Sequence, residues 1–251
     1  MTRIALVSGG GTGIGRAAAH ALADAGHRVV LLGRRAQVLE EAARAINRAV
    51  GPDSAVWHAA DLREPEEAER AVATVAAAAG PEDTITTVVN NAGGTTRIRG
   101  SALADVAAAW LDEWRRNVLS CVLLTTAALP HLTRSPGARI ITVSSVAALR
   151  GGGPYGAAKS ALHAWTYTLA KELGGLGTAN VVAPGYVEGT EFFGDRMTGE
   201  RRQALLDATL VGRAARPEGV AGAVRWLASA EAGDVTGQII QINGGAVLGR
   251  G

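Results

Sequence analysis

Cysteine is nearly absent: Cys121 is the single one in 251 residues. That excludes an intrachain disulfide framework and any zinc site built from paired thiolates. Its neighbours Val122, Leu123 and Leu124 are apolar, the setting of a buried, inert thiol rather than of a nucleophile. Aromatic residues make up only 4% of the chain against 47% hydrophobic residues, so the core must be built from Ala, Val, Leu and Ile. Lysine is scarcer still, with Lys159 and Lys171 alone in a chain otherwise supplied with Arg. Neither sign of charge is in excess. The 25 basic and 23 acidic residues leave +2, which implies neither a nucleic-acid nor a membrane-surface partner. No apolar run approaches the roughly 20 residues of a membrane-spanning helix. The chain starts directly on a strand, without a basic-plus-apolar leader. The expectation is a cytoplasmic protein that binds no metal.

There is also no linker, repeat or low-complexity tract, so residues 1–251 read as one domain. Short apolar runs alternate with helix-periodic segments along its whole length. Strands are expected at 3–8, 28–33, 55–58, 84–89, 138–143, 180–183 and 237–242. Helices are expected over 14–25, over 36–50, after Pro65, between 101 and 132 with one break, from Tyr155 onward, near 200–208 and over 217–230. Continuous apolar strands suit a parallel sheet buried on both faces, and each strand–helix–strand unit implies a right-handed crossover. The fold class is therefore α/β, a single-domain Rossmann-type doubly wound sheet of about seven parallel strands with helices on both faces.

Ligands of such sheets bind beyond the carboxyl ends of the strands. The unusual residues of this chain collect there: Gly9–Gly15, Gly33-Arg34, Asp61, Asn90–Gly93, Ser144-Ser145 and Pro184-Gly185. Gly9, Gly13 and Gly15 give G-x-x-x-G-x-G between a strand and a helix. Glycine permits a tight turn and close backbone approach to a pyrophosphate, and the following helix offers free N–H groups. The carboxylate that would receive a ribose 2′-hydroxyl, about 20 residues on, is missing. Gly33 holds that position, no acid follows before Glu40, and Arg34 and Arg35 come next. That combination leaves room for a 2′-phosphate and supplies guanidinium groups to grip it. Tyr155 and Lys159 lie one helical turn apart on one face. A phenol titrating near 10 is a poor proton donor or acceptor at neutral pH, and a fixed cation beside it is expected to lower its pKa.

Taken together, Ser8-Gly-Gly-Gly-Thr-Gly-Ile-Gly15, Asn90-Asn-Ala-Gly93, Asn117, Ser145, Tyr155-x-x-x-Lys159 and Pro184-Gly185 resemble the short-chain dehydrogenase/reductase family. The likeness is to its single-domain branch, near the 3-oxoacyl-carrier-protein reductases, and runs on to Val235-Thr-Gly-Gln238 and Asn243-Gly-Gly245. It implies an NADPH-dependent reductase of a small-molecule ketone, with Tyr155 as proton donor. Lys159 would tune Tyr155 and bind the nicotinamide ribose, Ser145 would hold the substrate oxygen, and Asn117 would hold a water leading to Lys159. NADP(H) would lie along Gly9, Gly11, Thr12, Gly13, Ile14, Gly15, Gly33, Arg34 and Arg35. Asp61 and Leu62 would meet the adenine, Asn90, Ala92 and Gly93 would line the cleft, and Pro184, Gly185, Val187 and Thr190 would meet the carboxamide and phosphate side. Homotetramers or dimers are implied, and Ala157, Ala161 and Ala164 leave the Tyr155 helix small enough for close packing. Residues 186–210, with Phe192, Phe193 and Met197, are expected to form a substrate lid.

Three departures from the family pattern stand out. The stretch from Ser145 to Tyr155 is short and passes through a Gly-rich loop at 150–154. Ser120 follows the Asn117 segment where Gly is usual, and the approach to Asn180 is a residue short. Two other functions compete: an NAD-dependent alcohol dehydrogenase working oxidatively, and a dinucleotide-binding regulator without catalysis. The regulator predicts loss of Ser, Tyr or Lys, and all three are present.

Overall fold

The computed structural model describes residues 2–95, 100–134 and 136–248. Its strands are β1 (Arg3–Ser8), β2 (His27–Gly33), β3 (Ala55–Ala59), β4 (Thr84–Asn90), β5 (Ala138–Val143), β6 (Gly177–Pro184) and β7 (Ile239–Ile242). They form one sheet in the order β3-β2-β1-β4-β5-β6-β7, and every pair is parallel. The helices are α1 (Gly13–Asp24), α2 (Ala36–Val50), α3 (Pro65–Ala78), α4 (Leu103–Trp114), α5 (Ser120–Leu132), α6 (Ala147–Arg150), α7 (Gly153–Leu173), α8 (Gly199–Asp207) and α9 (Pro217–Leu227).

Side chains alternate across the strands and so define two cores. Ala5, Val7, Val29 and Leu31 face α1, α2 and α9. Ile4, Leu6, Val30 and Leu32 face α3, α5 and α7. The chain passes from β1 to β2 and β3 on one side and returns to β4 on the other. The crevice beyond β1 and β4 is thus the topological switch point where ligands bind in such sheets.

Several boundaries differ from the sequence expectation. β6 begins at Gly177, because a glycine there lets β6 approach Ala138: an added Cβ would lie 2.2 Å from the Ala138 carbonyl oxygen. The Gly-rich run before it reads locally as a turn. β7 is shorter than expected, starting after Gly237, whose φ of +69° is unsuited to a strand. α9 ends at Leu227 rather than near 230. The segment after Ser145 holds a helical turn, α6, before the glycines. The expected break between 101 and 132 is a π-helical turn over Arg115–Leu119 that joins α4 to α5 without interrupting the rod. Among the described residues no helix is long and apolar enough to cross a membrane.

His27, at the start of β2, is 4% exposed. Burial, aided by the Arg3 charge and opposed by its bond to the Leu22 carbonyl, lowers its pKa to about 4. The neutral form is therefore favoured in the fold. Between pH 6.5 and about 4 the unfolded chain takes up this proton and the folded one does not, so stability falls as the pH falls through that window. His27→Leu is expected to flatten that part of the acid limb, by up to about 3 kcal/mol. Melting curves at neutral pH and near pH 4.5 check this; an unchanged difference between the two would refute it.

Candidate active site

The glycine turn is shaped by its neighbours. Gly9 and Gly13 have φ of +64° and +50°, where side chains are strained. A Cβ on Gly15 would lie 2.2 Å from the Gly9 carbonyl oxygen. Gly11 packs its bare face on Val38, Ile14 joins the core under α1, and Thr12 precedes α1 without a side-chain cap. The turn is pinned to the end of β4 by Ser8 and Asn91, which stand in the sequence motifs but were given no role there. The Ser8 hydroxyl accepts from the backbone N–H of Asn91 and of Ala92, both at 2.9 Å. The Asn91 amide donates to the carbonyls of Ser8 and Gly9 at 3.0 and 3.3 Å. The doubled Asn was the available signal. Asn90, by contrast, turns inward and donates to Thr125 at 2.8 Å. Its side-chain oxygen has no partner among the described residues.

At the end of β2, a Cβ on Gly33 would touch only Leu39, at 3.7 Å or beyond. Arg34 is exposed, and Arg35 donates to Glu191 of the 186–210 segment at 2.8 Å. Asp61, just past β3, is gripped by Arg63, which holds its carboxyl down to about 2. Leu62 is buried in the core beside it. Gly185 meets Asn243 closely, and its N–H donates to Ile242 at 3.0 Å, so the end of β6 is locked to β7. Pro184 accepts from Val146 at 2.8 Å. The Val187 side chain is buried, while Thr190 reaches back over the glycine turn, its methyl 3.3 Å from where a Cβ on Gly13 would stand.

The centre of the site lies where α7 begins. The two serines after β5 separate cleanly: Ser144 is buried and bonds His163 Nε2 at 2.8 Å and the Lys159 carbonyl at 3.1 Å. Ser145 is left to face Tyr155, with which it hydrogen-bonds. Lys159 is buried, with Nζ 2.9 Å from the Val143 carbonyl and 5.9 Å from the centre of the Tyr155 ring. Burial lowers its pKa, against Cys121 and Glu113, which raise it. The phenol corrects the expectation that Lys159 would lower it. Burial raises Tyr155 to about 12; the Ser145 hydrogen bond lowers it and the Glu113 carboxylate adds to the rise. A cation that is itself desolvated and turned to a backbone carbonyl does not offset the loss of water around the hydroxyl.

Asn117 sits inside the π-helical turn. Its side chain bridges to Gly94, accepting from N–H at 3.1 Å and donating to the carbonyl at 2.9 Å. Its own carbonyl accepts from the Cys121 thiol at 3.2 Å. A Cβ on Gly93 would stand 2.6 Å from Asn117 Oδ1 and 3.3 Å from Lys159 Nζ, so only glycine fits between them. The only two Phe residues of the chain diverge: Phe192 lies 5.2 Å from the Tyr155 ring and Phe193 packs edge-on to Tyr186 at 5.6 Å. The bare glycine cradle, the open ground at Gly33 and the Arg pair beside it fit a dinucleotide laid across β1 and β4.

A buried parallel sheet with a glycine cradle at its switch point and a Ser–Tyr–Lys cluster at its edge defines a class, the dinucleotide-dependent oxidoreductases. Comparison with known proteins narrows the class. Residues 9–247 match the family model described as Enoyl-(Acyl carrier protein) reductase. Granaticin polyketide synthase putative ketoacyl reductase 2 of Streptomyces violaceoruber is 36% identical, over 98% of this chain and 96% of that protein. A 7alpha-hydroxysteroid dehydrogenase of Clostridium sardiniense is 33% identical, over 98% and 94%. Among solved structures, a short-chain type dehydrogenase/reductase from Mycobacterium ulcerans superposes with a TM-score of 0.89 at 30% identity, covering 99% of this chain and 91% of that one. The Pseudomonas aeruginosa RhlG/NADP active-site complex gives 0.86 at 31% identity, covering 98% and 96%. The chain belongs to the short-chain dehydrogenase/reductase family and is an oxidoreductase acting on CH–OH groups with a nicotinamide dinucleotide.

Proposed function

We propose that this protein is an NADPH-dependent ketoreductase, reducing a 3-oxoacyl thioester-like, polyketide-like or cyclic ketone to a secondary alcohol. The observation that carries the reading is the site at the head of α7, where the Tyr155 phenol and the Ser145 hydroxyl converge. When bound, the nicotinamide supplies the hydride. Ser145 donates to the carbonyl oxygen and orients it. Tyr155 gives up its proton to that oxygen as charge develops there. Burial keeps the phenol protonated across the physiological range, so the proton is in place when the ketone binds. Lys159, held by the Val143 carbonyl, keeps a cation beside the developing phenolate. Gly33, Arg34 and Arg35 receive a 2′-phosphate, which is the basis for NADP over NAD; the relative bound to NADP supports it. Residues 186–210 act as the lid, with Phe192 on the Tyr155 ring as the wall of the substrate pocket. Exposed Trp110, Leu111 and Trp114 on α4, together with Ala157, Ala164 and Tyr167 on α7, support association of copies through these helices. An alcohol dehydrogenase working oxidatively is the second reading, favoured by the hydroxysteroid relative.

The test is NADPH oxidation over a panel of 3-oxoacyl thioesters, cyclic ketones, quinones and keto sugars. Turnover of at least one ketone, faster than the reverse reaction at neutral pH, is expected; turnover of alcohols alone with NAD would overturn the reading. Phe192→Ala is expected to raise KM for the accepted ketone by about tenfold with little change in kcat, the mark of lost ground-state contact. An unchanged KM would remove Phe192 from the pocket wall.

A further inference from the structure

The chain leaving β5 carries Ser145 between two anchors. The Ser144 N–H donates to the Val182 carbonyl and the Val146 N–H to the Pro184 carbonyl, both at 2.8 Å, so β6 holds the stretch on either side. Neither bond fixes it relative to α7, which carries Tyr155 and Lys159. Two side-chain bonds do that. Lys159 Nζ donates to the Val143 carbonyl at 2.9 Å, and the Ser144 hydroxyl donates to the Lys159 carbonyl at 3.1 Å. Lys159 is thus held at both ends by the two residues that precede Ser145. The Ser144 oxygen also lies 2.8 Å from Nε2 of His163, which stands one helical turn beyond Lys159. Ser144, Lys159 and His163 are all buried, so bulk water does not compete for these bonds.

A serine hydroxyl has one hydrogen to give and two lone pairs to accept with. Here the hydrogen is spent on the Lys159 carbonyl, so the contact with His163 is a hydrogen bond only when Nε2 carries a proton. Burial and the Lys159 charge lower the pKa of His163, which keeps the imidazole neutral with one protonated nitrogen. We infer that His163 and Ser144 are a positioning pair: the His163 Nε2–H donates to the Ser144 oxygen, the Ser144 hydroxyl donates to the Lys159 carbonyl, and the end of β5 is held in register with α7. Ser145 takes its place opposite Tyr155 from this tie. The inference rests on the reading of Ser145 and Tyr155 as the groups that meet the substrate oxygen. Neither member of the pair gives a proton to the substrate, because both are buried and their hydrogens are committed. A bare Nε2 would draw the Ser144 hydrogen to itself and away from Lys159. A misplacement of about 1 Å at a reacting group can cost about 10²-fold in rate, so a tie one residue from Ser145 bears directly on turnover.

The first measurement needs no turnover: a nitrogen-detected NMR spectrum of protein carrying isotope-labelled histidine, at neutral pH. Five histidines contribute, and the His163 signals are assigned by their loss in His163→Gln. The Nε2–H tautomer is expected, and the Nδ1–H tautomer would overturn the proposal. The second is kinetics in whichever direction wild type turns over, ketone reduction or alcohol oxidation, so a failure of the ketoreductase reading leaves this comparison intact. Ser144→Ala and Ser144→Cys should both lower kcat by about tenfold to a hundredfold, while dinucleotide binding, read by fluorescence titration, holds. Cysteine fills the space of serine but donates weakly. If Ser144→Cys keeps the wild-type kcat and Ser144→Ala loses it, packing is responsible and the proposal falls. His163→Gln, which retains an N–H donor, should keep most of the wild-type kcat. His163→Leu, which has none, should fall with Ser144→Ala, and equal kcat in the two His163 variants would count against the pair as decisively. Should Ser144→Ala fail to fold, Ser144→Cys and the two His163 variants carry the same comparison. If wild type turned over neither ketone nor alcohol, the proposed function would fall, and the tautomer would still decide the pair.

Discussion

Tyr155→Phe should reduce the rate of carbonyl reduction by about 10²–10⁴-fold, the range of general acid catalysis, while leaving the fold and dinucleotide binding intact. The hydroxyl is the one group lost. The ring contact with Phe192 at 5.2 Å and the position of Lys159 above the ring do not require it. Nor do the backbone contacts that open α7, so the melting temperature should hardly move. The loss should fall on kcat and kcat/KM alike, because the proton transfer is made only in the transition state. Steady-state kinetics with the best ketone, beside fluorescence titration of the reduced dinucleotide, separate the two effects. A variant retaining more than roughly a hundredth of the wild-type rate would show that another group donates the proton. The phenol pKa of about 12 adds a second expectation. Reduction in wild type should not lose its proton donor between pH 7 and 9, whereas oxidation should rise with pH over the same range as more phenolate becomes available.

The second large effect is on cofactor choice. Gly33→Asp combined with Arg34→Ile should move preference from NADPH toward NADH by about 10²-fold or more. A single hydrogen bond to a charged group contributes about 1.5–3 kcal/mol, roughly a tenfold to hundredfold change in binding. The double variant removes one such partner of the phosphate and sets a carboxylate against it. Space is available: Gly33 lies outside the left-handed region, and a Cβ there meets only Leu39 at 3.7 Å and 3.9 Å. Arg34 is the better target than Arg35, whose guanidinium is already paired with Glu191. Arg34 also acts on Asp61 across the end of β3, so removing it leaves Arg63 as the main cation on that carboxylate. Kinetics with both dinucleotides on wild type and the double variant give the answer. Equal use of NADH and NADPH by wild type, or no change of preference in the variant, would refute the assignment of Gly33 and Arg34 to the phosphate.

The sequence alone determined the parts of this protein that depend on local spacing. A strand buried on both faces must read as a short apolar run, which is why β1, β4 and β5 were legible to within a residue or so. The alternation of such runs with helices left a doubly wound parallel sheet as the consistent fold. It also placed the Gly9–Gly15 turn, Asn90-Asn91 and Ser144-Ser145 at the ligand end of that sheet. The four-residue interval between Tyr155 and Lys159 guaranteed one helix face whatever lay around it. Only the tertiary structure decided matters that depend on distant chain segments. Ser144 and Ser145 are equivalent in sequence, and His163, 19 residues away from Ser144, claims the first and leaves the second for Tyr155. Asn90 and Asn91 are a like pair, parted by Thr125 on one side and the glycine turn on the other. β6 began early because Gly177 fits against a strand nearly forty residues before it. Glu113 gave no sign in the sequence, since an acid near the end of an exposed-looking helix reads as solvated until a π-helical turn rolls it inward. The proton affinity of Tyr155 was the hardest to foresee. Spacing fixes which cation is near, but burial sets how much water the hydroxyl loses, and here the loss of water outweighs the cation.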